Sequence, residues 1–248
     1  ACRLMLQAVA ERAGKLERLA LMALSGTVEP SQGRRAVLDA LSSLFQDVHA
    51  DLLALVHERR ELRGATTTAT VAVWDGRGVY VAHVGDARLY LLHDRDLRQL
   101  TIDHTMVEDL VRLGHLRAEE AAVHRLRGVV SRSVGESALC KVDLGYVEVA
   151  PGDRMLLVSD GVSVYVSHDD LWKLLWPGGS AHAVVADALK AGSQDNVTAV
   201  VVHLPEPGVA TTVISSVSES LQHTERLDLL AVLSFCRHLR TDELMTVL

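Results

Sequence analysis

The feature that most restricts what this chain can become is Met155-Leu156-Leu157-Val158, four apolar residues in unbroken succession that stop against Ser159-Asp160-Gly161. Entered through the turn signal Pro151-Gly152-Asp153, the run has the length and branching of a buried strand. A second continuous apolar run, Val197 to Leu204, follows Asp195-Asn196. Read alone, Asp160 either turns the chain or serves a site, and the surrounding segments decide between the two.

Those segments describe a mixed fold. Apolar residues at Met5, Leu6, Val9, Leu16, Leu19, Ala20 and Ala23 predict an amphipathic helix from Cys2 to Leu24 that starts in mid-pattern without a cap. Gly26, Pro30 and Gly33 break the pattern, and Val37, Leu41, Leu44, Phe45, Val48, Leu52, Leu55 and Val56 predict a second helix. The period then changes to two. Ala65–Trp74, Val79–Val84, Leu89–Leu92 and Leu97–Leu100 read as an antiparallel meander with turns at Gly76-Arg77-Gly78 and Asp94-Arg95-Asp96.

Thr101 to Gly114 predicts a short helix with Met106, Leu110 and Leu113 inward, and His115 to Arg127 a polar flap. Strands return at Val142–Val149 and at the opening run. Ser167 with Asp170 caps a helix carrying Leu171, Trp172, Leu174 and Leu175, and Ser180 to Ala191 forms another. Trp172 and Trp176 are expected in the core. Residues 1–204 thus read as one domain, Pro205-Glu206-Pro207-Gly208 opens a linker over 205–223, and Leu227, Leu230 and Leu233 predict a helical segment in 224–248.

Net charge is −7 and no Lys/Arg run is interleaved with aromatics, so neither a nucleic-acid nor an anionic membrane surface is indicated. No apolar run approaches the roughly 18 residues of a membrane span. Three scattered cysteines, Cys2, Cys140 and Cys236, fit free thiols in a cytoplasmic protein.

Three aspartates lie at strand ends or turns beside small residues: Asp86 after Val84-Gly85, Asp160, and Asp195 after Ser193-Gln194. Converged without a cation, each pair about 4 Å apart would repel by about 4 kcal/mol at an effective dielectric near 20. Convergence therefore implies hard cations, Mg²⁺ or Mn²⁺, which favour carboxylate and water oxygens. The twelve histidines show no ligand spacing near these aspartates, and Asp103-His104, adjacent at a strand end, point apart too far to act as a dyad. Ser159 has no base partner and reads as structural.

Gly64-Ala65-Thr66-Thr67-Thr68-Ala69-Thr70, Val84-Gly85-Asp86-Ala87-Arg88-Leu89-Tyr90 and Leu100-Thr101-Ile102-Asp103-His104 resemble successive signature blocks of the metal-dependent serine/threonine protein phosphatases, type 2C. Ser131-Arg132-Ser133-Val134-Gly135, Leu156-Leu157-Val158-Ser159-Asp160-Gly161 and Asp195-Asn196-Val197-Thr198 are similar to the later blocks, in order. The resemblance implies an α+β fold, a four-layer α/β/β/α sandwich of two antiparallel sheets flanked by helices. It implies that Asp160 and Asp195 are ligands of a dinuclear Mg²⁺ or Mn²⁺ centre, and that Asp86 shares with Asp160 a third, looser site. It also implies that water attacks the phosphorus of a phosphoprotein substrate directly.

The family's opening blocks, an arginine with Asn-Glu-Asp and a strand ending in Asp-Gly-x-Gly-Gly, are not found before the first helix. This leads to expectations of a truncated chain, an exposed sheet edge and weak or absent activity, with a catalytically dead phosphoprotein-binding or regulatory module as the alternative. Leu233 to Leu244 resembles the opening of a cyclic-nucleotide-binding domain.

Overall fold

The computed structural model describes residues 1–204 apart from 122 and 177, together with the backbone of residues 229–233. Two long helices, α1 (Cys2–Ser25) and α2 (Pro30–Glu58), lead the chain. Gly26, at φ 71°, ends α1 in the left-handed conformation, and proline opens α2, where its missing N–H would have no helical partner. Strands β1 (Ala69–Trp74), β2 (Gly78–Val84), β3 (Arg88–His93) and β4 (Asp96–Gln99) form the meander. Asp94 and Arg95 both take positive φ between β3 and β4, as a tight two-residue hairpin requires.

After α3 (Met106–Arg112) and α4 (Ala118–Ala121) come β5 (Asp143–Glu148), β6 (Arg154–Val158), α5 (Asp160–Ser163), α6 (His168–Leu175), α7 (Ala181–Lys190), β7 (Ala199–His203) and β8 (Leu229–Leu233). The sheets run β5-β2-β1-β8 and β4-β3-β6-β7. Every neighbouring pair is antiparallel except β1 with β8, where Ala69 meets Leu229 in parallel register.

Side-chain alternation builds the layers. On one face of β1 and β2, Val71, Val73, Tyr80 and Ala82 pack with Leu16, Leu41 and Phe45 of α1 and α2. Their other face, with Ala72, Val79 and Val81, meets Leu89, Leu91, Met155 and Leu157 between the sheets. Leu156 and Val158 point away from that seam into Leu171, Leu175, Val184 and Val185 of α6 and α7. The unbroken run of β6 is therefore apolar because both its faces are covered. Three apolar seams separate four layers, helix, sheet, sheet, helix, as the resemblance implies.

Three local expectations need correction. In α3 the buried residue is Val107, while Met106 and Leu113 are exposed, Leu113 at 66%. The helix is capped at Thr105, whose hydroxyl accepts from the Glu108 N–H, and this phase turns Val107 inward. Trp176 is not core: it stands 37% exposed with the Arg95 guanidinium over its ring. Leu230 and Leu233 belong to a strand, because Leu229–Leu233 is a continuous apolar run laid along the outer edge of β1. That edge was expected to be open and is instead paired. The tail beyond residue 233, with the proposed cyclic-nucleotide resemblance, lies outside the described residues. Among the described residues no helix is long and apolar enough to cross a membrane, Cys140 is a free thiol, and Cys2 Sγ lies 3.2 Å from Thr67 Oγ1.

Candidate metal centre

Asp86 sits in the turn between β2 and β3, 8% exposed. The turn exists because Gly85 takes φ +118° and lies so close to Thr68 that an added Cβ would collide with the threonine side chain. His104, in the loop after β4, grips the same glycine twice: its backbone N–H donates to the Gly85 carbonyl (2.7 Å), and Gly85 N–H donates to its Nδ1 (3.0 Å). Nδ1 is thus the acceptor and Nε2 carries the proton, which it donates to Asp143 Oδ2 at 3.0 Å.

Asp160 follows β6 directly and opens α5, its Oδ1 accepting from the Gly161 N–H at 2.7 Å. Asp195 is exposed in the loop between α7 and β7, and its Oδ1 accepts from the Asn196 N–H at 2.8 Å. These two loops are bolted together. Ser159 Oγ donates to the Asn196 carbonyl (3.0 Å) and accepts from Thr198 N–H (3.1 Å), while Ser193 Oγ donates to the Gly161 carbonyl (2.8 Å). Ser159 is wholly buried and spends its hydroxyl on this joint, the structural role expected of it.

Asp86 lies where the chain crosses from β2 of one sheet to β3 of the other, Asp160 at the end of β6 beside β3, and the two meet electrostatically. Burial, then the charge of Asp160, then that of Asp103 raise the Asp86 carboxyl to about 7. Asp103 is held away by Arg88, whose Nε and Nη2 donate to its carboxylate at 2.7–2.9 Å, so Asp103 and His104 do point apart. The structure thus joins the Asp160 and Asp195 loops and brings Asp86 within the field of Asp160. It does not close the three carboxylates, or any other group of three His, Cys, Asp or Glu among the described residues, to ligating distance of one point.

The donor chemistry nevertheless fits a hard cation. The groups are carboxylate oxygens only, the like charges of Asp160 and Asp103 act on Asp86 against the smaller opposing effect of Arg88, and the buried Thr68 hydroxyl beside Gly85 has no hydrogen-bond partner.

The three aspartates stand at the turns and strand ends where the sequence put them, but their supports were not foreseen. His104 was visible, whereas its partner Asp143, itself bonded by Arg132 Nη1 at 2.9 Å, is set by long-range folding and carries no local signal. His83, in β2, is a second buried histidine beside His104. It lies between Thr70 Oγ1 (2.9 Å) and the Ile102 carbonyl (3.1 Å), stacked 4.7 Å from the His104 ring. Burial, and then the neighbouring His104, lower its pKa to about 4.

This His83 shift has a measurable consequence. With a folded pKa below the unfolded 6.5, the unfolded chain binds more protons between pH 6.5 and 4, so His83 withdraws stability as pH falls through that window. The loss by pH 5 is about 2 kcal/mol. Asp86, raised to about 7, acts with the opposite sign over an overlapping range. The His83 contribution is therefore read as the stability difference between wild type and His83→Gln, which should shift by about 2 kcal/mol against wild type from pH 7.5 to 5 in urea titrations.

Comparison with known proteins agrees with this architecture. The family model described as Protein phosphatase 2C matches residues 15–197. Serine/threonine phosphatase stp of Listeria monocytogenes is 31% identical over 166 residues, 65% of this chain and 66% of that protein. Serine/threonine protein phosphatase PstP of Mycobacterium tuberculosis is 36% identical over 192 residues, 76% of this chain and 37% of that protein. The chain thus spans less than two thirds of the length of either curated relative. Among solved structures, the catalytic domain of PstP in complex with two manganese ions superposes with a TM-score of 0.60 at 31% identity, covering 77% of this chain and 80% of that one. With its matched region holding Asp86, Asp160 and Asp195 and strands β1 to β6, the chain belongs to the protein phosphatase 2C family.

Proposed function

We propose that the chain is the sandwich of a Mg²⁺- or Mn²⁺-dependent protein phosphatase acting on phosphoserine and phosphothreonine in the cytoplasm. The observation that carries this reading is the joint between the Asp160 and Asp195 loops at the same end of the sandwich as the buried Asp86 turn. Asp160 and Asp195 would hold two ions, the number carried by the manganese-bearing catalytic domain of PstP, and Asp86 with Asp160 would hold a third. Bound there, such ions supply Lewis acidity toward a phosphoryl oxygen and toward water.

The chain's own residues do the rest. Ser159 and Ser193 fix the spacing between two of the carboxylates, and Gly85 presents the third. Arg88 keeps the Asp103 carboxylate occupied and out of competition for the ion. Phosphoprotein substrates are the partners proposed.

A second reading, a catalytically dead module that binds phosphoproteins, is favoured by one observation: no three carboxylates among the described residues close on a single point. Hydrolysis of a phosphothreonine peptide in the presence of Mn²⁺ separates the two. Turnover that vanishes with chelator and returns with added Mn²⁺ is expected. Peptide binding without turnover would establish the second reading instead.

A further inference from the structure

We infer that His104 is a positioning residue for the ion site: its Nδ1, by accepting from the Gly85 N–H, sets the turn that presents Asp86, and its Nε2 fastens that turn to the stem of the flap. The inference rests on Asp86 being an ion ligand, as in the reading above.

The geometry is a single junction of three segments. Residue 104 reaches Gly85 through its backbone N–H and its ring at once. Its carbonyl accepts from the Ser131 N–H at 2.8 Å, and the neighbouring Met106 N–H donates to the Val129 carbonyl at 2.9 Å. Residues 104–106 and 129–131 are thus the two stems of the segment 107–128, which carries the expected flap. On the other side of the ring, Nε2–H ends on Asp143 Oδ2, and Asp143 Oδ1 is held by Arg132 at the foot of the same stem. The ring is 1% exposed, so neither nitrogen has solvent as an alternative partner. Asp86 stands one residue from the glycine so held, and Gly85 takes the positive φ of +118° that this turn requires.

The two nitrogens can be tested separately, because asparagine ends where Nδ1 lies and glutamine reaches where Nε2 lies. His104→Asn keeps an acceptor for Gly85 and loses Asp143, whereas His104→Gln keeps the donor to Asp143 and loses Gly85. Mn²⁺ affinity is read from the paramagnetic resonance of free Mn²⁺, and turn stability from amide exchange at Gly85 and Asp86 without metal.

The expected result is a roughly tenfold weaker Mn²⁺ affinity and roughly tenfold faster exchange at Gly85 and Asp86 in His104→Gln, the loss of about one buried hydrogen bond. His104→Asn should stay within about threefold of wild type by the same measure. Equal effects of the two substitutions, or no effect of His104→Gln, would overturn the inference, as would wild-type protein that binds no Mn²⁺.

Should either variant fail to fold, the wild type still decides. Nitrogen NMR must show His104 as the Nε2–H tautomer with a bare Nδ1 bonded to the Gly85 amide, and a proton on Nδ1 would overturn the assignment. A protein that binds Mn²⁺ with this pattern yet hydrolyses no phosphopeptide would sink the phosphatase reading alone.

Discussion

Replacing Asp160 by asparagine is expected to give a folded, inactive protein, with kcat/KM toward a phosphothreonine peptide about 1000-fold lower and no loss of thermal stability. The activity loss follows from the charge. A bound divalent ion supplies several kcal/mol of transition-state stabilisation, and each 1.36 kcal/mol is a factor of ten, so forfeiting about 4 kcal/mol accounts for the figure.

Stability survives for two local reasons. The introduced amide retains an Oδ1 that can accept the Gly161 N–H, the contact made by Asp160 at 2.7 Å. The substitution also removes the Asp160 charge, which stands second only to burial in raising the Asp86 carboxyl. The metal-free Asp160→Asn protein should therefore melt at or above the wild-type temperature. The rise in melting temperature that Mn²⁺ gives the wild type by binding the native state should shrink or disappear in the variant. Activity within tenfold of wild type would remove Asp160 from the ligand set.

Gly161→Ala attacks the same place through packing. A Cβ there would collide with the Asn196 carbonyl oxygen and lie 3.0 Å from its carbon, and these are backbone atoms with no rotamer to yield. The loop carrying Asp195 must move outward, stretching the Ser159–Asn196 and Ser193–Gly161 bonds that hold the two carboxylates in register. Overpacking of this kind costs about 1–3 kcal/mol, and the strained joint puts this variant toward the upper end of that range.

Urea denaturation should show this loss together with Mn²⁺ affinity weakened at least about tenfold, the scale seen when groups that orient metal ligands are disturbed. Gly145→Ala, where an added Cβ meets nothing within 4 Å, is the control and should change stability by less than about 0.5 kcal/mol. Equal behaviour of the two variants would mean that the Asp195 loop is free to adjust and that the joint does not set the site.

Much of this could be read from the residues because it is encoded locally. The run Met155–Val158 announced a strand covered on both faces, and Ser167 announced the start of α6 by the bond it makes to the Asp170 N–H. The positions of Asp86, Asp160 and Asp195 at turns and strand ends were legible from the small residues beside them. What failed was phase and long-range pairing. The helical period of Leu227, Leu230 and Leu233 does not reveal that the β1 edge, far upstream, is available to receive a strand. Met106 and Leu113 look inward until Thr105 is seen to cap the helix. The partnership of His104 with Asp143 depends on β5 lying beside β2, where His83 meets Asp143, a fact of topology that no window of sequence contains.

The placement of β6 also dictates an order of assembly. Its neighbours are β3, with Leu89 opposite Leu157, and β7, with Val200 opposite Leu157. Of its sheet, among the described residues, the β3–β4 hairpin, closed by its own two-residue turn, can form before β6 emerges from the ribosome. The hairpin is then a template on which the unbroken apolar run of β6 can land at once. Weakening that early hairpin would lengthen the time during which Met155–Val158 is unpaired, so its damage would be felt in soluble yield before it was felt in equilibrium stability.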